Sequence, residues 1–309
     1  MYLCKLMNQR TLKKSYSFKG KGLHTGKPVN MTVRPAPENT GIVFIRTDIP
    51  GRPEIKALAH NVSKTDRSTT LCQDGIAVYT VEHILSALTG LGVDNAIIEI
   101  DNAEVPIMDG SARKYAVLIG KDGTTEQDAP RNYIDIKETI EVKDPESGSF
   151  VRIEPATEPD YNLTIDFGSH VLGIQEAHWD NSTDYLRQIA PCRTFCFLHE
   201  IEFLLANNLI KGGDMYNAII IVEHPISDKQ RQLLRDRFEM PDLAVTSEGY
   251  LSNIKLHFPN ECGRHKMLDL IGDLRLCGGF LNAKVTAYKS GHTINTAAAK
   301  AIEQAVASK

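Results

Sequence analysis

Strand and helix do not alternate regularly along these 309 residues, and that irregularity limits the fold more than any single motif does. A doubly wound parallel sheet needs a helix after almost every strand, whereas here a few helical patterns stand apart among runs of strand-like sequence. Residues 80–91 carry Val81, Ile84, Leu85 and Leu88 at helical spacing, with Thr80 suited to cap the start and Gly90 and Gly92 ending the pattern. A short helix follows over 112–118, the strongest helical pattern of the second half spans 261–276, and a terminal helix spans 297–307. Strands are expected at 29–33, 42–45, 94–100 and 283–288, and a meander over 133–142, 150–154 and 162–167. Each half thus offers several strands and two principal helices, which predicts an α+β sandwich repeated twice.

The chain length suits two domains. The polar stretch 121–130, with Gly123, Thr124, Thr125 and Pro130, is the natural divide, giving domains at 1–127 and 128–309. Within the second, a helix at 183–189 precedes a β-α-β insert over about 194–222: a strand at 193–197, a helix at 199–208, a break at Gly212-Gly213 and a strand at 218–222. The charged helix expected at 228–238 reads as peripheral. The insert's Phe195, Phe197, Leu198, Ile201, Phe203, Leu204 and Leu205 exceed what so small a unit buries alone. Packing against the domain core and lining a groove for an acyl chain both account for the surplus.

A net charge of -4 argues against a generally basic nucleic-acid binder. No apolar run approaches the roughly 18 residues of a membrane span, and no signal-peptide core is present, so a cytoplasmic protein without stable membrane insertion is expected. Six cysteines without a CxxC pair read as reduced thiols rather than metal ligands.

His265 and Asp269 lie four residues apart on one expected helix face, where imidazole and carboxylate can converge on a Zn²⁺ ion, and Asp273 extends that face to orient a histidine. Such pairs also occur on solvated faces, and spacing alone leaves both readings open. Glu82-His83 opens another helix. A glutamate beside a metal-binding histidine can act as general base on water, but a helix-start carboxylate is also favoured by the dipole. Together, His83, His265 and Asp269 would leave a fourth position open, as catalytic zinc requires. His292, in a loop between strand and helix, could donate a proton; Lys289 could neutralise phosphate; Thr194, at a strand edge, could bind an oxyanion.

Six ordered motifs strengthen this: Gly22-Leu23-His24-Thr25-Gly26, Thr80-Val81-Glu82-His83, Pro106-Ile107-Met108-Asp109-Gly110-Ser111, Arg193-Thr194-Phe195, Arg264-His265-Lys266-Met267-Leu268-Asp269 and Lys289-Ser290-Gly291-His292. Their combination, running from Thr11 to Ala301, closely resembles the UDP-3-O-acyl-N-acetylglucosamine deacetylases of bacterial lipid A biosynthesis. The resemblance implies two β-α-α-β sandwiches with the active site between them, and zinc-dependent removal of acetate from a UDP-linked, 3-O-acylated glucosamine. It implies metal ligands at His83, His265 and Asp269, a base at Glu82, and a cationic His292 partnered by Asp273. Thr194 would assist the oxyanion and Lys266 would line the site. Phe195, with the 198–213 unit ending at Gly213, would form the acyl passage, and Phe167 and Lys289 would face the nucleotide diphosphate. The stretch 223–262 resembles the longer form found in relatives fused to a β-hydroxyacyl carrier-protein dehydratase. The competing classes are a zinc hydrolase of another amide, such as a peptidase, and a non-catalytic sugar-nucleotide binding relative. A peptidase would be expected to carry H-E-x-x-H, which is absent from the chain, and a non-catalytic relative to lack a ligand or Glu82.

Overall fold

In the computed structural model, which describes residues 7–200, 211–214 and 216–307, burial alternates along most of the longer strands as a half-covered sheet requires, while the strand at Ile42–Arg46 is buried throughout. The first half runs β1 (Asn8–Leu12), β2 (Tyr16–Lys21), β3 (Pro28–Pro35), β4 (Ile42–Arg46), β5 (Glu54–Lys56), β6 (Val62–Lys64), β7 (Thr70–Gln73) and β8 (Ile76–Tyr79), then α1 (Glu82–Gly90), β9 (Ala96–Ile100), α2 (Arg113–Gly120) and β10 (Thr124–Pro130). The second half runs β11 (Tyr133–Asp135), β12 (Ile140–Lys143), β13 (Phe150–Pro155), β14 (Asp160–Asp166), β15 (Ile174–Asp180), α3 (Tyr185–Gln188), β16 (Phe195–Phe197) and β17 (Ile219–Ile221). It continues with α4 (Asp228–Phe238), α5 (Glu261–Leu274), β18 (Phe280–Tyr288) and α6 (His292–Ala307). Val29, Met31 and Val33 of β3, and Tyr161, Leu163 and Ile165 of β14, point to the core, with more polar residues between them.

The two principal sheets share one plan. The first has the order β2-β3-β9-β4-β5 and the second β12-β13-β18-β14-β15. In each, the last strand to arrive takes the centre, antiparallel to one flanking strand (β3 or β13) and parallel to another (β4 or β14), and in the second sheet the short β11 also pairs in parallel with the start of β18. Each central strand also has a helix before it and one after it: α1 and α2 around β9, α5 and α6 around β18. The inner helices α1 and α5 pack against each other. Glu82 to Leu88 of α1 are all buried, and in α5 only Arg264 and Lys266 escape burial, so neither helix keeps a solvated face. The fold is α+β, and one continuous apolar cluster runs through both halves, from Leu12 to Ile302.

Several expectations change. Thr80 does not cap α1: it sits at φ +61°, and its hydroxyl donates to Glu104 Oε1 at 3.1 Å, which turns the chain into the helix. The polar segment at the expected 127/128 divide is strand β10, paired antiparallel with β1. Its polarity serves a network in which Asn95 Nδ2 donates to Gln127 Oε1 at 2.8 Å and Gln127 Nε2 donates to the Ala36 carbonyl at 3.1 Å. The meander is interrupted, because β18 lies between β13 and β14, and the strand expected over 133–142 divides into β11 and β12. The terminal helix begins at His292 rather than at 297.

The insert pairs β16 with β17 in parallel. The helix expected at 199–208 falls largely outside the described residues. The unit reaches further than 222: Leu198, Ile220, Val222, Leu234, Leu243 and Leu251 form their own small core, which uses α4 through Leu234. Among the described residues, no helix is long and apolar enough to cross a membrane.

Candidate active site

The close crossing of α1 and α5 builds the site. Gly272 makes it possible: a Cβ there would overlap the Glu82 carbonyl oxygen. Glu82 and His83, at the start of α1, thereby meet His265, Lys266, Asp269 and Asp273 of α5, while His292 enters from the first residue of α6.

His83 Nε2 lies 3.6 Å and His265 Nε2 3.5 Å from Asp269 Oδ1, and the ligand atoms of the three residues all fall within 4.8 Å of one another. Donor atoms about 2.0–2.2 Å from a tetrahedral ion lie roughly 3.3–3.6 Å apart, so the first two separations suit a shared cation. Two further observations bear on the fit. Asp269 Oδ1 is buried and accepts no hydrogen bond, although Oδ2 receives the Lys266 ammonium at 2.9 Å. His265 Nδ1 donates to the Cys192 carbonyl at 3.0 Å, which directs the Nε2 lone pair towards Asp269 and His83. A buried carboxylate oxygen facing two imidazole nitrogens is a cation-binding donor set, and the residues fit zinc.

The electrostatics separate the ionisable groups. Burial raises the Glu82 carboxyl to about 7, with Asp273 and Asp269 adding to the rise and His292 opposing it. Burial and the neighbouring His265 lower His83 to about 3, and burial likewise lowers His265. His292 goes the other way. Burial alone would lower it, but the Asp273 and Asp269 carboxylates raise it to about 9. Against its own burial, Asp269 is held below the usual carboxylate range by His265, Lys266 and His292, and Lys266 is held above its ordinary value by Asp269. His292 Nδ1 donates to Asp273 Oδ2 at 3.0 Å, which leaves Nε2 3.8 Å from Asp269 Oδ2.

These groups open onto a cavity of about 1420 Å³ bounded by both halves and by the insert. Glu82, His83, His265, Lys266, Asp269, His292, Thr194, Phe195, Phe167 and Gly213 all line it. Asp273 stands behind His292, fully buried. Lys289 is not among the lining residues; its ammonium is held 3.1 Å from Asp166 Oδ2. Phe195 packs edge-on against Phe167 and His265, with centroids at 5.5 and 6.3 Å, and the Lys266 ammonium lies 5.6 Å over its ring.

The structure adds residues to which the sequence reading gave no role. His24, from the first quoted motif, lines the cavity with its Nε2 buried and without a hydrogen-bond partner. Its loop is anchored on Glu104, whose carboxylate accepts from the His24 and Thr25 backbone amides at 2.9 and 2.8 Å. Arg67 and Lys211 bring positive charge to the same wall. Thr69 is buried behind the site and bonded to Glu82 and Asp273. Nothing in its own stretch of sequence, Ser68-Thr69-Thr70, marks it out.

The family model of the UDP-3-O-acyl N-acetylglycosamine deacetylases matches residues 9–239 and 229–304. Over 301 residues, 97% of this chain, the sequence is 42% identical to a protein of Porphyromonas gingivalis named bifunctional enzyme LpxC/FabZ, of which it covers 65%. The chain therefore spans about two thirds of the length of that relative. Two proteins named UDP-3-O-acyl-N-acetylglucosamine deacetylase are matched more fully. That of Saccharophagus degradans is 44% identical over 294 residues, 94% of this chain and 88% of the relative. That of Myxococcus xanthus is 41% identical over 289 residues, 93% and 84% respectively.

Proposed function

The chain belongs to the UDP-3-O-acyl N-acetylglycosamine deacetylase family, and on that premise we propose that it hydrolyses the 2-acetamido group of UDP-3-O-(3-hydroxyacyl)-N-acetylglucosamine, releasing acetate in lipid A biosynthesis. Zinc is the cofactor in this reading, held by His83, His265 and Asp269. The observation that carries it is Asp269 Oδ1, buried, unpartnered and facing two imidazole nitrogens at 3.5 and 3.6 Å. Bound there, zinc would supply Lewis acidity, acidifying water and polarising the amide carbonyl.

The chain's own groups do the rest. Glu82, whose carboxyl is raised to about 7, takes the proton of the attacking water. As charge develops on the former carbonyl oxygen, the Thr194 hydroxyl and the His292 cation stabilise it. His292, raised to about 9 and aimed by Asp273, then gives its proton to the departing amine. Lys266 keeps Asp269 ionised and oriented through its 2.9 Å bond.

The cavity's dimensions and lining support a large, two-ended substrate. Phe195, Phe197 and Tyr216 offer an apolar wall for the acyl chain, with Gly213 giving close backbone access. Phe167, 48% exposed and packed on Phe195 and Phe197, can offer its free surface to the nucleotide, while Lys211, and Arg67 once released from Glu200, can meet the diphosphate. Lys289 reaches the diphosphate only by releasing Asp166. The bifunctional relatives favour a fused or separate carrier-protein dehydratase as partner.

The test is joint measurement of bound zinc and of acetate released from the UDP-sugar. One zinc per chain with stoichiometric acetate is expected. Zinc without acetate release would sink the substrate assignment, and absence of zinc from active protein would sink the cofactor.

A further inference from the structure

We propose that Thr69 is a positioning residue that ties together the two groups moving protons in the site. The inference rests on the acetamide-hydrolysis reading, because it concerns how Glu82 and His292 are aimed.

Thr69 is fully buried and does not line the cavity, so it acts only through its neighbours. Its backbone N–H donates to Glu82 Oε2 at 3.0 Å. Its hydroxyl donates to Asp273 Oδ1 at 2.6 Å, a contact across 204 residues of sequence, and lies 3.4 Å from His292 Nδ1. Asp273 Oδ2 is occupied by His292 Nδ1 and Asn295 Nδ2, both at 3.0 Å. Thr69 therefore supplies the side-chain donor that holds the other oxygen and fixes the carboxylate plane.

Two consequences follow from that geometry. With Oδ1 pinned, Asp273 presents Oδ2 squarely to His292, which keeps a proton on Nδ1 before and after the ring gives one up and aims Nε2 into the cavity. The same hydroxyl also fastens residue 69 to α5, so the main-chain N–H beside it is carried to a fixed point against Glu82. One oxygen of the base is thereby held while the base must exchange a proton. A β-branched residue with a hydroxyl suits both duties: its χ1 is stiff, and its Oγ1 reaches the carboxylate. Valine keeps the shape and loses the donor, leaving a buried carboxylate oxygen short of a hydrogen bond.

The experiment compares Thr69→Val and Thr69→Ser in the full chain with zinc bound, and repeats Thr69→Val in a His292→Ala background. Val is expected to lower kcat by about 10-fold or more with KM and zinc content unchanged, and Ser to restore most of it. The loss should shrink once His292 is absent, because the group being aimed is gone. A second readout needs no turnover: in the zinc-free protein, the His292 Nδ1–H proton resonance should shift in Thr69→Val and return in Thr69→Ser. An unchanged kcat in Thr69→Val, or a loss of the same size with and without His292, would overturn the assignment. If the wild-type protein releases no acetate, the functional reading fails, while an unmoved resonance counts separately against Thr69.

Discussion

Asp269 divides its two carboxylate oxygens between different duties, one receiving the Lys266 ammonium and the other facing His83 and His265. Substituting Asn at this position removes the charge that draws a cation, whereas truncating Glu82 leaves the proposed ligand set intact. Asp269→Asn is therefore expected to lose zinc, read by elemental analysis. Glu82→Ala should keep zinc and lose turnover by about 10²- to 10⁴-fold, the usual range for a general base. Equal zinc loss in both variants would mean that Glu82 belongs to the ligand set. The sequence made much of this legible, because His265 and Asp269 share a helix face and Glu82-His83 opens another. Thr69 was not legible in the same way. Its partners are Glu82 and Asp273, and no local periodicity records a contact so distant along the chain.

At the scale of elements, the crossing of α1 and α5 is what brings those pairs together. Gly272 is the point of closest approach, where any side chain meets the Glu82 main-chain oxygen. Gly272→Ala should push the helices apart at a cost of about 1–3 kcal/mol. The expected outcome is a lower Tm by calorimetry together with reduced zinc occupancy; a normal Tm with full occupancy would show that the crossing tolerates a methyl group. Both helices could be read from apolar spacing, since each is long enough for the period to repeat. The short strands β5, β6, β7 and β8 were not, because three or four residues carry too little alternation to register. Placing β18 between β13 and β14 was equally beyond local pattern: each of those strands reads as amphipathic whoever its neighbour is.

Across the whole molecule, the proposed metal ligands are split, His83 coming from the first half and His265 and Asp269 from the second. An ion bound at that junction stabilises only the assembled form. Chelation should therefore lower Tm, and zinc resupply should restore it. The linked stabilisation is about 2.7 kcal/mol when free zinc exceeds its Kd 100-fold. No change in Tm between zinc-loaded and chelated protein would contradict a shared site. That the chain has two halves was readable from the helix and strand inventory. Their common sheet order was not, because topology repeats here without a visible repeat in the amino acids. The same order bears on synthesis. A nascent chain holds every strand of its first sheet once Ile100 has emerged, but the second sheet lacks its middle until the Phe280–Tyr288 segment follows. In that interval two hairpins wait with open edges, and it is then that holdase chaperones would matter most to this polypeptide.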